Sequence, residues 1–404
     1  MNLLVEGINK GIVKSTEMSK KITIDGHTET YKVYKVKLDY LFFNDQNDRI
    51  ATWISQYKAD NNIDKIDIKD KEEYNEIIHN FIVKSNPEAI KKTKANIELV
   101  EQREPGVILT DGRVIDGNRR FTCLRELSKK DPRFNYFETI ILNEDLDNHA
   151  KQIKMLELMI QHGEESKVDY NPIDRLVGVY NDIIEKKLLT ASEYAYSTNI
   201  TENEVNKQIE LANLLVEFLE IINAPKQFYI ARDMNLDGPL RELQGILKKI
   251  KDEDKRDEIK NVAFVNFLMQ PHGDMTRFIR KIKTVVSSNF LNDYLEEQLD
   301  IAEKVLDRLP EEGKMTNEVI KKEFRSDEET KEILKNSLDK AEMKAKSTES
   351  RNKPLQFLGK IEDLLEAIDT NIFMKLKDEE KNEILGKINQ IEVLLNQIRE
   401  DANV

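Results

Sequence analysis

A single cysteine in 404 residues leaves no internal disulfide and no zinc site built on several thiolates, and it suits a reducing compartment. The five histidines (His27, His79, His149, His162 and His272) are scattered without a His-x-x-x-His pair, so they do not seed a histidine metal centre. Aromatic residues make up only 7% of the chain. No apolar run approaches the ~18 residues of a membrane helix. Residues 1–6 lack the charged start and long apolar centre of a secretory signal, so a cytoplasmic location without a membrane partner is expected. There is no glycine-rich loop ending in Gly-Lys-Ser/Thr and no internal repeat. Acidic residues at metal-binding spacing do not stand out, which puts nuclease action last among the readings below. Positive charge is also short: 63 Lys and Arg against 76 Asp and Glu give a net charge of −13, which opposes non-specific adhesion to nucleic acid.

What the chain does have is charge of both signs, 34% in all, and enough length for two or three domains. Its centre is residues 107–127. Val107, Ile108 and Leu109 form a short β-type run, Asp111-Gly112 is a two-residue hairpin signal, and Arg113 to Ile115 resume a strand. Asp116-Gly117-Asn118 then breaks the strand, and Phe121, Leu124 and Leu127 recur at helical spacing. Arg119 and Arg120 thus fall in a first helical turn, where unpaired N–H groups and the positive end of the macrodipole already lie. Adjacent arginines there point to a bound phosphate. The plainer alternative leaves them solvated or paired to Glu126 and Asp131. From residue 84 to 133 the chain carries twelve Lys/Arg and eight Asp/Glu, a basic island in an acidic protein.

The box Asp116-Gly117-Asn118-Arg119-Arg120, with the helix from Phe121 to Leu127, resembles the signature of the ParB/sulfiredoxin superfamily. Residues 95–105 resemble that family's first box, and Tyr34 to Leu41 with Asn47-Asp48-Arg49-Ile50 resemble its opening strand and loop. The likeness spans roughly residues 31–145. It implies a small α/β domain that holds ATP or CTP with Mg²⁺ at Gly117, Asn118, Arg119 and Arg120. Arg49 and Gln161-His162 are implied as further contributors, and Asp116 or Glu104 as the group orienting metal or water. Sulfiredoxins carry their reactive cysteine where this chain has Asn118, so sulfur redox chemistry does not transfer, and Cys123 reads as core. Partition proteins have Glu at the Asn118 position and a Glu-Asn pair where Gln161-His162 stand here.

The expected fold is α+β: an N-terminal α/β domain over 1–163, a helix-turn-helix-like domain over 164–250, and a helical region over 251–404. Residues 21–34 read as a hairpin turning at Asp25-Gly26, residues 42–49 as a polar loop, and Trp53 as core. Strand signals fade after Gly163. Thr190-Ala191-Ser192-Glu193 is a capping box, and Thr201 caps a second helix, together a helix-turn-helix pattern. Asn203, Asn206 and Lys207 are its candidate DNA contacts. Residues 190–216 carry four acidic side chains and one basic, which weakens unaided duplex binding. Residues 228–250 read as one helical run. At the end, Leu355, Leu358, Ile361, Leu364, Leu365 and Ile368 form one stripe and Ile384, Leu385, Ile388, Ile391, Leu394, Leu395 and Ile398 another, a helical hairpin that closes either onto its own chain or, as the preferred reading, onto a second copy as a homodimer.

The resemblance implies two functions. The first is a nucleotide-dependent switch or phosphohydrolase, in a setting of bacterial or phage DNA maintenance or defence. The second is a DNA-binding adaptor of partition type without nucleotide turnover.

Overall fold

A computed structural model describes residues 2–24, 27–143, 146–163 and 171–402. In chain order the N-terminal elements are β1 (Val13–Ile24), β2 (His27–Lys37), β3 (Phe42–Phe43), α1 (Ala51–Asn61), α2 (Lys71–Ser85) and α3 (Pro87–Val100). Then come β4 (Gly106–Leu109), β5 (Arg113–Asp116), α4 (Asn118–Ser128), β6 (Tyr136–Leu142) and α5 (Leu146–Gly163). The six strands form one mixed sheet in the order β1-β2-β6-β4-β5-β3, so the fold is α+β as the pattern predicts. Ile24 pairs with His27 across the expected hairpin, whose Asp25-Gly26 turn lies outside the described residues.

Period-two alternation assigns each central side chain to a face. Val107, Leu109, Ile115, Ile140 and Leu142 pack under Ile153, Leu156 and Ile160 of α5. Ile108, Val114, Phe137 and Ile141 turn the other way, onto Phe121 and Leu124 of α4 and the apolar stripes of α2 and α3. Burial on both faces is why these strands read as nearly unbroken apolar runs. The expected polar loop at 42–49 is corrected at its start. Phe42 and Phe43 form a two-residue edge strand parallel to β5, because Phe43 packs with its ring centroid 4.7 Å from that of Phe121 in this core.

After α5 the described residues are helical. They form α6 (Pro172–Val179), α7 (Ala191–Thr198), α8 (Glu202–Ile221), α9 (Phe228–Asp233), α10 (Asp237–Leu247), α11 (Glu253–Met269), α12 (Met275–Val286), α13 (Leu291–Leu306) and the short α14 (Asn317–Val319). The run expected over 228–250 is broken, since Asn235 takes a left-handed φ of 55° between α9 and α10. One apolar core extends from Leu158 to Ala341. The domain boundary expected near 250 falls inside it, because α10 packs on α8, α11 and α12. Residues 1–342 make one compact unit and residues 343–404 a second. The long α15 (Glu328–Glu366) runs across that boundary, and α16 (Asp378–Ala402) closes the described chain. No helix among the described residues is long and apolar enough to cross a membrane.

Where sheet and helical core of the first unit meet, a charged cluster is sealed from solvent. Lys154 Nζ of α5 lies 2.9 Å from Asp48, 3.3 Å from Asp182 and 3.8 Å from Glu157, and none of the four side chains is more than 7% exposed. Burial works to lower the Lys154 pKa, yet Asp48, Glu157 and Asp182 together hold it well above its ordinary value. Burial raises Glu157 and Asp182. Nearby Asp174, which accepts the Thr52 N–H at 2.9 Å, is pushed up by burial to about 7.

These three carboxylates bind a proton more tightly folded than unfolded, so they favour the folded state most below the unfolded carboxylate range. That contribution is lost as pH rises through the folded values. From this cluster the melting temperature is expected to fall between about pH 4 and 8. Replacing Asp174 by Asn should flatten the decline in a calorimetric pH series, and an unchanged slope would contradict the assignment.

Candidate functional site

The site begins where β5 hands over to α4. Asp116 ends the strand, Gly117 turns with φ +90°, and the helix starts at Asn118. Only glycine suits this turn: a Cβ would lie 2.8 Å from Cζ of the fully buried Phe137, in a backbone conformation that L side chains rarely adopt. No side chain caps α4, whereas Asp70 and Asn86 cap α2 and α3. Helix starts favour negative charge through the positive end of the macrodipole.

That helix start forms one wall of a cavity of about 380 Å³, within the range of roughly 300–1,000 Å³ usual for small-molecule sites. Five cationic side chains converge on it: Arg119 and Arg120 from α4, Arg49 from the turn before α1, Lys92 from α3 and Arg103 from the loop before β4. Three carboxylates, Glu101, Glu104 and Asp116, share the lining, and Ile50, Ile82, Ile97 and Ile115 supply an apolar portion. Asn118 is 8% exposed, and its Oδ1 is buried with no hydrogen-bond partner among the described residues. Such orphans are rare in a folded chain and demand an explanation.

Asp116, expected to orient metal or water, is instead engaged by its neighbour: Arg120 Nη2 donates to Asp116 Oδ2 at 3.0 Å. The expected alternative partners of the arginines are used elsewhere, Glu126 by Lys94 and His79, and Asp131 by Arg133. Glu104 is exposed on a loop held to β6 by Gln102. That side chain donates to the Glu104 and Glu138 carbonyls at 2.9 and 2.7 Å and accepts the Glu138 N–H at 2.9 Å. In the same loop Glu101 sits at φ 59°, ψ −172°, a conformation normally reserved for glycine. Among the described residues no group of three or more His, Cys, Asp or Glu could hold a metal ion by itself. Mg²⁺ is usually bound by one or two carboxylates together with substrate phosphates. Glu104 and the orphan Asn118 oxygen, lining one pocket, suit that mode.

The structure thus brings Gly117, Asn118, Arg119, Arg120, Arg49 and Gln161 to one cavity, as sequence reasoning expected. The His162 side chain lies outside the described residues. Lys92, Arg103, Asn47, Asn86 and Asn96 were not anticipated as lining residues. Lys92 and Asn96, one turn apart beside the buried Ile97, form a polar seam that the α3 sequence does display. Asn203, Asn206 and Lys207 are exposed on α8, away from the cavity, and Lys207 lies 3.6 Å from Glu204. The capping box at Thr190 opens α7, a left-handed Asn199 ends it, and Thr201 caps α8. Trp53 is half-buried with the Arg232 guanidinium 3.9 Å above its ring. Cys123 is fully buried, and burial pushes its thiol up to about 12, which agrees with a core role.

No protein-family model matches the chain, and no curated protein matches it significantly. The likeness to the ParB/sulfiredoxin signature therefore rests on the quoted residues alone.

Replacing Gly117 by Ala should destabilise the protein by about 1–3 kcal/mol through backbone strain and the Phe137 contact. Chemical denaturation checks this, and an unshifted midpoint would show that the turn tolerates a side chain.

Proposed function

We propose that the cavity binds a nucleotide polyphosphate, ATP or CTP with Mg²⁺, and that the protein is a nucleotide-responsive switch. The observation that carries this reading is the convergence of five cations on an uncapped helix start. Arg119, Arg49 and Lys92 hold phosphate oxygens at the helix start, Arg120 contributes from its pair with Asp116, and Ile82, the least buried of the lining isoleucines, meets an apolar part of the ligand. Resemblance of the Asp-Gly-Asn-Arg-Arg box to nucleotide-binding ParB/sulfiredoxin domains supports the same assignment. Binding is better supported than phosphohydrolase turnover. Asp116 is occupied by Arg120, and the remaining carboxylates, Glu101 and Glu104, are exposed ones from the loop before β4. The DNA-adaptor reading has less support, because the exposed Asn203, Asn206 and Lys207 share their surface with Glu202, Glu204 and Glu210. Each nucleoside triphosphate with Mg²⁺, titrated to a hundred times its Kd, should stabilise the protein by ~2.7 kcal/mol. Arg119→Ala should abolish that thermal shift. No shift with any nucleotide in the parent protein would overturn the reading.

The partner proposed for the C-terminal unit is a second copy. Leu358, Leu365 and Ile368 on α15 and Ile388, Leu394 and Ile398 on α16 are each 38–59% exposed. Within these stripes Leu358, Ile361, Leu365 and Ile368, and Ile384, Ile388, Ile391, Leu395 and Ile398, recur at alternating steps of three and four residues, the spacing of helices that pack lengthwise on others. With Ile388 and Ile391 at the seam, Lys387 and Glu392 flank it at positions that meet across two parallel α16 helices. An antiparallel pair centred on Glu392 would instead oppose that residue to itself. Light scattering is expected to give twice the 47.2 kDa chain mass, and Ile388→Asp should return it to the single-chain value. A parent protein that stays monomeric at ~100 µM, or a variant that stays dimeric, would contradict this arrangement.

A further inference from the structure

Behind the cavity wall lies the buried charge cluster, and two of its members touch pocket-lining residues directly. Gln161, on the wall, donates from Nε2 to Glu157 Oε1 at 3.0 Å, one turn back on α5. The other Glu157 oxygen accepts Asn44 Nδ2 at 3.4 Å. Lys154 grips the 44–50 segment twice, donating to the Gln46 carbonyl at 3.3 Å and to Asp48 Oδ1 at 2.9 Å. Asp48 adjoins Asn47 and Arg49, both of which line the cavity. The same lysine reaches the helical core through Asp182 at 3.3 Å, and α6 presses so close that a Cβ on Gly178 would lie 2.7 Å from the Asp48 carboxylate.

Resting on the nucleotide reading above, we infer that Lys154 and Glu157 are positioning residues. Glu157 fixes Gln161, Lys154 fixes the turn carrying Asn47 and Arg49, and Asp182 ties that frame to the helical region, so pocket occupancy and helical arrangement bear on one lysine. A fully buried lysine facing three carboxylates is poorly suited to stability alone, since apolar side chains of equal volume usually do as well or better. It is suited to holding separate segments in one register. The groups that face Lys154 and its partners are Asp48, Glu157, Asp182, the neighbouring Asp174, and Lys186, whose Nζ donates to Gln46 Oε1 at 2.6 Å.

The test measures affinity for a fluorescent Mg²⁺-nucleotide on the full chain from pH 6 to 9, for the parent, Glu157→Leu and Glu157→Gln. Glu157→Leu removes the acceptor of Gln161 and should weaken binding about tenfold at pH 7. Glu157→Gln retains a side-chain carbonyl acceptor and should restore affinity to within about threefold. Because the Gln variant cannot ionise, its affinity should also drift less than the parent's between pH 7 and 9. Equal affinity of Glu157→Leu and parent would overturn the positioning role. Should the Leu variant not fold, the comparison of pH profiles between parent and Gln variant decides, and superimposable profiles overturn the inference. A parent protein that binds no nucleotide overturns the functional reading itself, an outcome distinct from a binding parent whose variants behave alike.

Discussion

The handover at Gly117 is the constraint from which the pocket follows. Phe137 of β6 sits under the turn, and its ring is held in place by Phe121, 5.9 Å away on the helix that the turn begins. The chain must leave β5 and enter α4 within one residue, which φ +90° allows and a side chain would obstruct. A transition so short leaves no room for a capping Ser, Thr or Asp, so the helix opens without a side-chain cap. The first-turn N–H groups, Asn118 and both arginines come from consecutive residues, and their common direction is a consequence of backbone geometry. The remaining cations come from other elements, and the sheet's two covered faces fix the distances between them.

The buried lysine shows a second kind of constraint. Desolvation penalises all four charges of the cluster, and the fold bears this penalty because one ammonium answers several oxygens at once. Asp48 comes from the turn before α1, Lys154 and Glu157 from α5, and Asp182 from the turns after α6. No local sequence pattern links these segments. An apolar core would hold them together, but it would tolerate small slips between them more readily than a set of directional bonds does.

This division explains how much of the molecule could be read from sequence. The β4–β5 hairpin, the glycine turn and the α4 stripe are local, and their residues announce them; so are the capping boxes at Thr190 and Thr201. Half of the pocket was legible because it comes from that same run of residues. Lys92 and Arg103 were not, since their role depends on α3 and the loop before β4 being folded back against α4. Asp48 and Lys154 were less legible still, because a charged residue in a polar stretch looks solvated until its partners are known. Phe42 and Phe43 failed for a related reason. A two-residue strand has no period to detect, and only its packing against Tyr74 of α2 and Phe121 of α4 explains why both rings are buried.

Electrostatics joins the pocket to the character of the whole chain. Cationic groups gathered at a helix's positive end repel one another and the macrodipole, and three carboxylates among the lining residues offset that only in part. A compact polyanion relieves the remainder on entry, while the net charge of −13 repels long polyanions from the surface as a whole. Screening limits that repulsion to about 8–10 Å at ordinary ionic strength. Under the proposed reading, a small phosphate ester would pass the acidic exterior to reach the cationic lining, whereas a duplex would lie against many acidic side chains at once. On that reading, a preference for a small anion over a large one would need no base-reading contact and would follow from where the two signs of charge are placed.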